Sequence, residues 1–218
     1  MRIKRLAAAA AVALTVGWAT GANAAPIVFQ GIDIGAASLA AAPNSQAASA
    51  AFDLATGSLN IIDFDTHTTG ATLSPASSVV GCGFALCGGN TTSGGSNFYG
   101  AVFTTTITFD TPINAFGAYF SGWQRSDQIL TYSSGGTVTL NMPLGNLSSG
   151  GLVFFGFTDV GASIASITYS TALGDFVGID DMRFGTVAAP VPEPASLTLL
   201  GLGLAGLGFG RRRKQQTP

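Results

Sequence analysis

The sequence predicts an all-β domain, an antiparallel β-sandwich or jelly roll carrying one short helix near its N-terminal end. Three observations lead there. Eight or nine short segments with strand character follow one another at about ten-residue spacing, with turn residues between them. The stretch "AVFTTTITF" has a period of two, with Phe103, Thr105, Ile107 and Phe109 on one face and threonines mostly on the other, which marks a half-buried strand. Only one segment reads as a convincing helix, whereas a parallel α/β sheet needs one between each pair of strands.

Residues 1–24, "MRIKRLAAAAAVALTVGWATGANA", combine a basic start, an apolar run over residues 6–16 and a small-residue site at Ala22, Asn23 and Ala24. They read as a secretory signal removed after Ala24, with the Sec translocon and signal peptidase as expected partners. An uncleaved N-terminal anchor is the alternative. The sandwich is expected over residues 25–187. A first strand covers residues 27–32 and ends in a glycine turn. "PNSQAASAAFDLATGS" reads as the helix, over about residues 45–56. Asn44 or Ser45 is placed to accept the first free backbone N–H groups, the alanines favour helix, and Gly57 stands where a left-handed cap would sit. Ala48, Ala51, Phe52 and Ala55 share one face, so Phe52 is expected to pack against the domain.

The strands occupy about residues 58–186. "LNIIDFD" comes first, then a long loop over residues 66–100, then "AVFTTTITF" and a turn at "DTP". "INAFGAYFSG", "QILTY", "TVTLNM", "LVFFGFT", "SIASITYS" and "FVGIDDMRFG" follow. In the last of these, Ile179 is out of phase with Met182 and Phe184, which predicts a β-bulge near Asp180 and Asp181.

Charge narrows the function. Charged residues make up 9% of the chain, against about 25% in an ordinary domain. Seven of the nine basic residues lie in the two tails. Between residues 25 and 190 only Arg125 and Arg183 oppose ten aspartates, so the body carries a charge near −8. Without a basic patch to neutralise phosphates, nucleic acid is excluded as a partner. An acidic body suits divalent cations, or simply solubility.

Several residues are candidates for chemistry. Cys82 and Cys87, separated by four residues in a glycine-rich loop of an exported domain, read as a disulfide that stiffens the loop. Free thiols and a metal site are the alternatives, the latter lacking partner ligands. Asp63, Asp65 and His67 alternate and would share a face if their strand persisted, a pattern able to hold a divalent metal. The competing reading is a solvated face running into a turn. Asp63 or Asp65 together with Asp180 or Asp181 could form an oxygen cage for a structural calcium. Otherwise Asp180 bonds turn backbone or pairs with Arg183. Trp123 in "SGWQRSD" could stack on a sugar, or pack against a neighbouring loop. Catalysis is not expected, because His67 is the only histidine and no serine stands in a Gly-x-Ser-x-Gly elbow.

The C-terminal segment, residues 188–218, reads differently. Residues 195–210 are uncharged and mostly apolar, just short of the roughly 17–25 residues that cross a bilayer as a single helix. Arg211, Arg212, Arg213 and Lys214 follow and should stay cytoplasmic, leaving the body outside. "VPEPASLTLLGLGLAGLGFGRRRK", with Pro192, Glu193 and Pro194 before the apolar run and Arg211, Arg212 and Arg213 after it, resembles the sorting tail of bacterial PEP-CTERM proteins. The body segments "PNSQAASAAFD", "IIDFDTHTTGATLS", "ITFDTPINAFGAYFSG" and "FVGIDDMRFG" are similar, more loosely, to PEP-CTERM ectodomains. The resemblance implies processing by exosortase and a Gram-negative host that makes exopolysaccharide. It implies a transient inner-membrane anchor, followed by the cell surface or extracellular matrix. Two functions are then expected: a non-catalytic surface or matrix protein, or a carbohydrate-binding module for the host exopolysaccharide.

Overall fold

The computed structural model describes residues 25–74, 79–81, 95–102, 104–122, 128–142, 151–170 and 176–188. Twelve strands and one α-helix are found among them. The chain begins with β1 (Ile27–Ile34), a 3-10 turn (Leu39–Ala41) and α1 (Pro43–Thr56), followed by β2 (Asn60–Ile62), β3 (Ala71–Ser74) and β4 (Val79–Gly81). Next come β5 (Asn97–Val102), β6 (Thr104–Ile113), β7 (Ala115–Ser121), β8 (Ile129–Ser133) and β9 (Thr137–Asn141). The last three are β10 (Gly151–Thr158), β11 (Ile164–Ser170) and β12 (Phe176–Gly185).

The strands form two antiparallel sheets, as the all-β sandwich expectation requires. The larger runs β1-β10-β7-β12-β5-β4, with β2 added on β12, and the smaller runs β3-β6-β11-β8-β9. Between the sheets lies the main core, where Phe116, Phe120 and Phe157 of the larger sheet meet Ile107, Leu130 and Tyr132 of the smaller. The rings of Tyr132 and Phe157 stack across the gap, 4.8 Å apart and nearly parallel.

The opposite face of the larger sheet is covered by α1. Phe52 is fully buried there with Tyr119, Leu152 and Phe154 in a second cluster. Its ring sits edge-on to Phe29 at 5.6 Å and tilted against Phe154 at 5.7 Å. Close approach depends on Gly117 and Gly156, which face each other across β7 and β10. A Cβ on either would meet the Phe52 ring at 3.0 to 3.1 Å. Phe52 therefore packs as its helical face predicted. Because the sheet is covered on both sides, every residue of β7 and β10 is buried.

Four local expectations are corrected. Neither Asn44 nor Ser45 caps the helix: α1 starts earlier, at Pro43, whose missing N–H costs nothing there, with Ala42 in the cap position. The free N–H groups of Asn44 and Ser45 go instead to the carboxylate of Asp33 in β1, at 3.1 and 2.7 Å. The segment taken as one long loop over residues 66–100 contains β3, β4 and the start of β5. "LNIIDFD" stops being strand after Ile62, where Asp63 begins a turn. The turn expected at "DTP" is absent, since β6 runs on through Pro112 to Ile113. Pro112 is tolerated because it lies beyond the pairing with β3 and opposite a register shift in β11.

The chain crosses between sheets at Asn114. Its side chain donates to the Val187 carbonyl at 2.9 Å and accepts the Val187 N–H at 2.7 Å, while its backbone carbonyl accepts the Asp159 N–H. Gly57 closes α1 with φ of 69°, its N–H bonded to the Asp53 carbonyl, so the glycine stands where expected. The bulge in β12 is also found: the register against β7 shifts between Asp180 and Arg183, and Asp181 takes φ of 49°. The expected signal, Cys82, Cys87, Trp123 and the tail lie outside the described residues.

Candidate functional site

Asp63 and Asp65 follow β2 but do not share a face. The Asp63 carboxylate accepts the backbone N–H groups of Asp65, Thr66 and His67, at 3.1, 2.8 and 2.7 Å, closing a tight turn. Burial opposes its ionisation, but hydrogen bonds from His67 and Thr66 outweigh that and hold the carboxyl far below its ordinary value. Thr66 Oγ1 and Asp63 Oδ2 both lie 2.9 Å from Nδ1 of His67. Sharing one ring nitrogen, they cannot use the imidazole to relay a proton between them. Asp65 turns the other way, accepting from Ser96 N–H at 3.1 Å and from the Asn97 side-chain amide at 2.8 Å. It pins the start of β5.

The pairing of β2 with β12 does bring the two acidic segments close, since Ile62 lies opposite Met182. There the bulge takes over: Asp180 Oδ1 accepts the Asp181 N–H at 2.8 Å, and both residues are buried. Among the described residues no three His, Cys, Asp or Glu side chains converge as a metal-holding group.

Arg183, just past the bulge, faces α1. Its guanidinium donates to Ser49 Oγ at 2.5 Å and lies 5.7 and 5.8 Å from the ring centres of Tyr119 and Phe154. Asp53 is 3.7 Å from its Nε and half exposed. Burial holds the Tyr119 phenol above its ordinary pKa, with Ser49 and the Arg183 charge opposing without reversing it. An open cleft of about 510 Å³ lies beside this group, lined by Asp53, Gly57, Ser58, Leu59, Ile61 and Arg183. Asp180 bonds turn backbone, one of the two roles the sequence offers it, and Arg183 approaches Asp53 of the helix. Its position on that face depended on a helix crossing the sheet, which spacing along the chain does not reveal.

The outward face of the smaller sheet is lined with hydroxyls. Strand register aligns Ser74 with Thr106, Thr106 with Thr168, Thr168 with Thr131 and Thr131 with Thr139, one residue from each of the five strands. Beside this row, Thr72 lies opposite Thr108 and Thr108 opposite Ser166, while Ser133 lies opposite Thr137. All of these are partly or fully exposed. The hydroxyls of Thr106 and Thr168 approach to 3.5 Å. Asp110 is the ionisable residue on this face among the described residues, at one end of β6. The alternating threonines of "TTTITF" were visible in the sequence. Their continuation across five strands depends on the register.

No curated protein and no solved structure matches this chain. A family model does match its end, across the apolar run and both of its flanking motifs. Residues 190–214, from Pro190 past Pro192, Glu193, Pro194 and the arginines, carry the PEP-CTERM protein-sorting motif, which marks the chain as an exosortase-sorted exported protein directed to the cell surface.

Proposed function

We propose that the two-sheet body is a non-catalytic surface or extracellular-matrix protein, held briefly in the inner membrane while exosortase processes its tail. The C-terminal motif carries this reading. The apolar run over residues 195–210 would serve as the temporary anchor, with Arg211, Arg212 and Arg213 in the cytoplasm and Pro192, Glu193 and Pro194 presented on the outer side. Export would use the Sec translocon and signal peptidase through residues 1–24. Deleting the host exosortase should leave the protein with its tail and in the membrane fraction. An unchanged size and location would remove this reading.

A second reading is a carbohydrate-binding module for the host exopolysaccharide. The hydroxyl-lined face of the smaller sheet favours it, as an exposed and nearly uncharged surface rich in groups that both donate and accept. Trp123, which could stack on a sugar or pack against a neighbouring loop, is the alternative platform. Comparing retention of the mature protein and its Trp123→Ala variant on purified host polysaccharide separates the two platforms.

A further inference from the structure

We propose that the outward face of the smaller sheet is a binding surface for an extended, uncharged polyhydroxyl polymer, a neutral polysaccharide. This rests on the carbohydrate reading above and names the surface and the charge class of its ligand. Three features of the face carry it.

The first is its regularity. Ser74, Thr106, Thr168, Thr131 and Thr139 form one row across five strands, with parts of a second row beside it. Adjacent strands lie about 4.8 Å apart, and alternate residues along a strand about 6.7 Å, so a row crosses roughly 19 Å. A surface that repeats along two directions matches a ligand that itself repeats.

The second is its chemistry. Each hydroxyl offers one donor and two acceptors that rotate to suit a partner, which fits a ligand rich in hydroxyls. Each threonine also presents a methyl group to the C–H surface of a sugar. The β-branched side chains are stiff, so little rotamer freedom is lost on contact.

The third is charge. The body is near −8, and Arg183 is the one Arg or Lys among the described residues, on the far side of the larger sheet beneath α1. Among the described residues this face holds Asp110 and no cation, so a polymer bearing carboxylates or sulfates would meet repulsion there. A neutral polymer would pay no such cost.

The test uses the mature chain and insoluble probes: microcrystalline cellulose and a neutral β-glucan gel, with a covalently cross-linked alginate gel in calcium-free buffer as the acidic counterpart. The triple variant Thr106→Val, Thr131→Val and Thr168→Val keeps shape and strand propensity while removing the central hydroxyls. A second variant, Thr108→Glu with Thr137→Glu, places charge on exposed positions, and thermal melts establish that both fold. Retention of the parent on a neutral probe, weakened about tenfold in the variants and unaffected by Trp123→Ala, is the expected result. Equal retention of parent and variants overturns the assignment of the face while leaving carbohydrate binding intact. Retention on alginate alone overturns the neutral ligand class. No retention on any probe defeats the carbohydrate reading itself, and this inference with it.

Discussion

The carboxylate of Asp33 accepts the backbone N–H of Ser45 at 2.7 Å, so a strand residue caps a helix that begins ten residues later. The other carboxylate oxygen accepts the Asn44 backbone N–H at 3.1 Å and its side-chain amide at 2.8 Å. Ser45 in turn donates to the carbonyls of Gly31 and Leu152, at 3.2 and 3.0 Å. The helix N-terminus is thus fastened to the sheet by polar contacts, and Phe52 fastens its middle by packing.

Replacing Asp33 by Ala removes both acceptors from the first turn of α1. The loss of a cap costs about 1–2 kcal/mol. Urea unfolding of the ectodomain should show a lower midpoint with an unchanged slope. A midpoint within experimental error of the parent would mean that packing alone positions the helix.

Acid should loosen the same contact. Burial opposes ionisation of Asp33, but hydrogen bonds from Ser45 and Asn44 outweigh it and keep the carboxyl below its ordinary value. The unfolded chain takes up that proton near pH 4, so this stabilisation is complete above that value and lost as pH falls through the lower folded one. Asp63 shifts in the same direction, held by Thr66 and His67. The melting temperature should therefore fall between about pH 5 and pH 2, and Asp33→Asn should flatten part of that fall. Identical pH profiles for parent and variant would contradict the assignment.

Phe52 is the apolar counterpart. It is fully buried against Phe29, Phe154 and the paired glycines of β7 and β10. Phe52→Ala should cost about 3–5 kcal/mol, more than the cap. A chemical denaturation series that ranks Asp33→Ala above Phe52→Ala would reverse this account of what holds the layer.

These elements also show which parts of the fold were legible along the chain. The period-two pattern of β6 and the phase break in β12 are local, and the strand and the bulge follow from them. The capping role of Asp33 is not local; it depends on β1 pairing with β10 beneath α1. "LVFFGFT" and "INAFGAYFSG" fail to alternate for a physical reason: the sandwich buries one face and the helix the other. The same limit applies to the candidate surfaces. Asp63, Asp65 and His67 share a face only if their strand persists, and it stops at Ile62, where Asp63 closes a turn. The hydroxyl rows need five strands in register, of which the sequence displays one clearly. The sorting motif, by contrast, is contiguous, and its residues suffice to identify it.

Arg183 provides a prediction about magnitudes. Its contact with half-exposed Asp53 is long, at 3.7 Å, whereas its hydrogen-bond partner Ser49 is buried. Exposed ion pairs contribute up to about 1 kcal/mol, and hydrogen bonds to charged groups about 1.5–3 kcal/mol. Double-mutant cycles should give a larger coupling for Arg183 with Ser49 than with Asp53. The opposite order would make the ion pair, rather than the enclosed contact, the link between helix and sheet.

The central claim is that the tail over residues 190–214 directs the protein through exosortase to the surface. Intact-mass measurement of the protein from parent and exosortase-deficient cells, fraction by fraction, tests it most directly. The account predicts a species lacking the apolar run and the Arg211, Arg212 and Arg213 cluster at the surface or in the medium of parent cells, and a tail-bearing species in the membranes of the deficient cells. The same mass in the same fraction from both strains would contradict it.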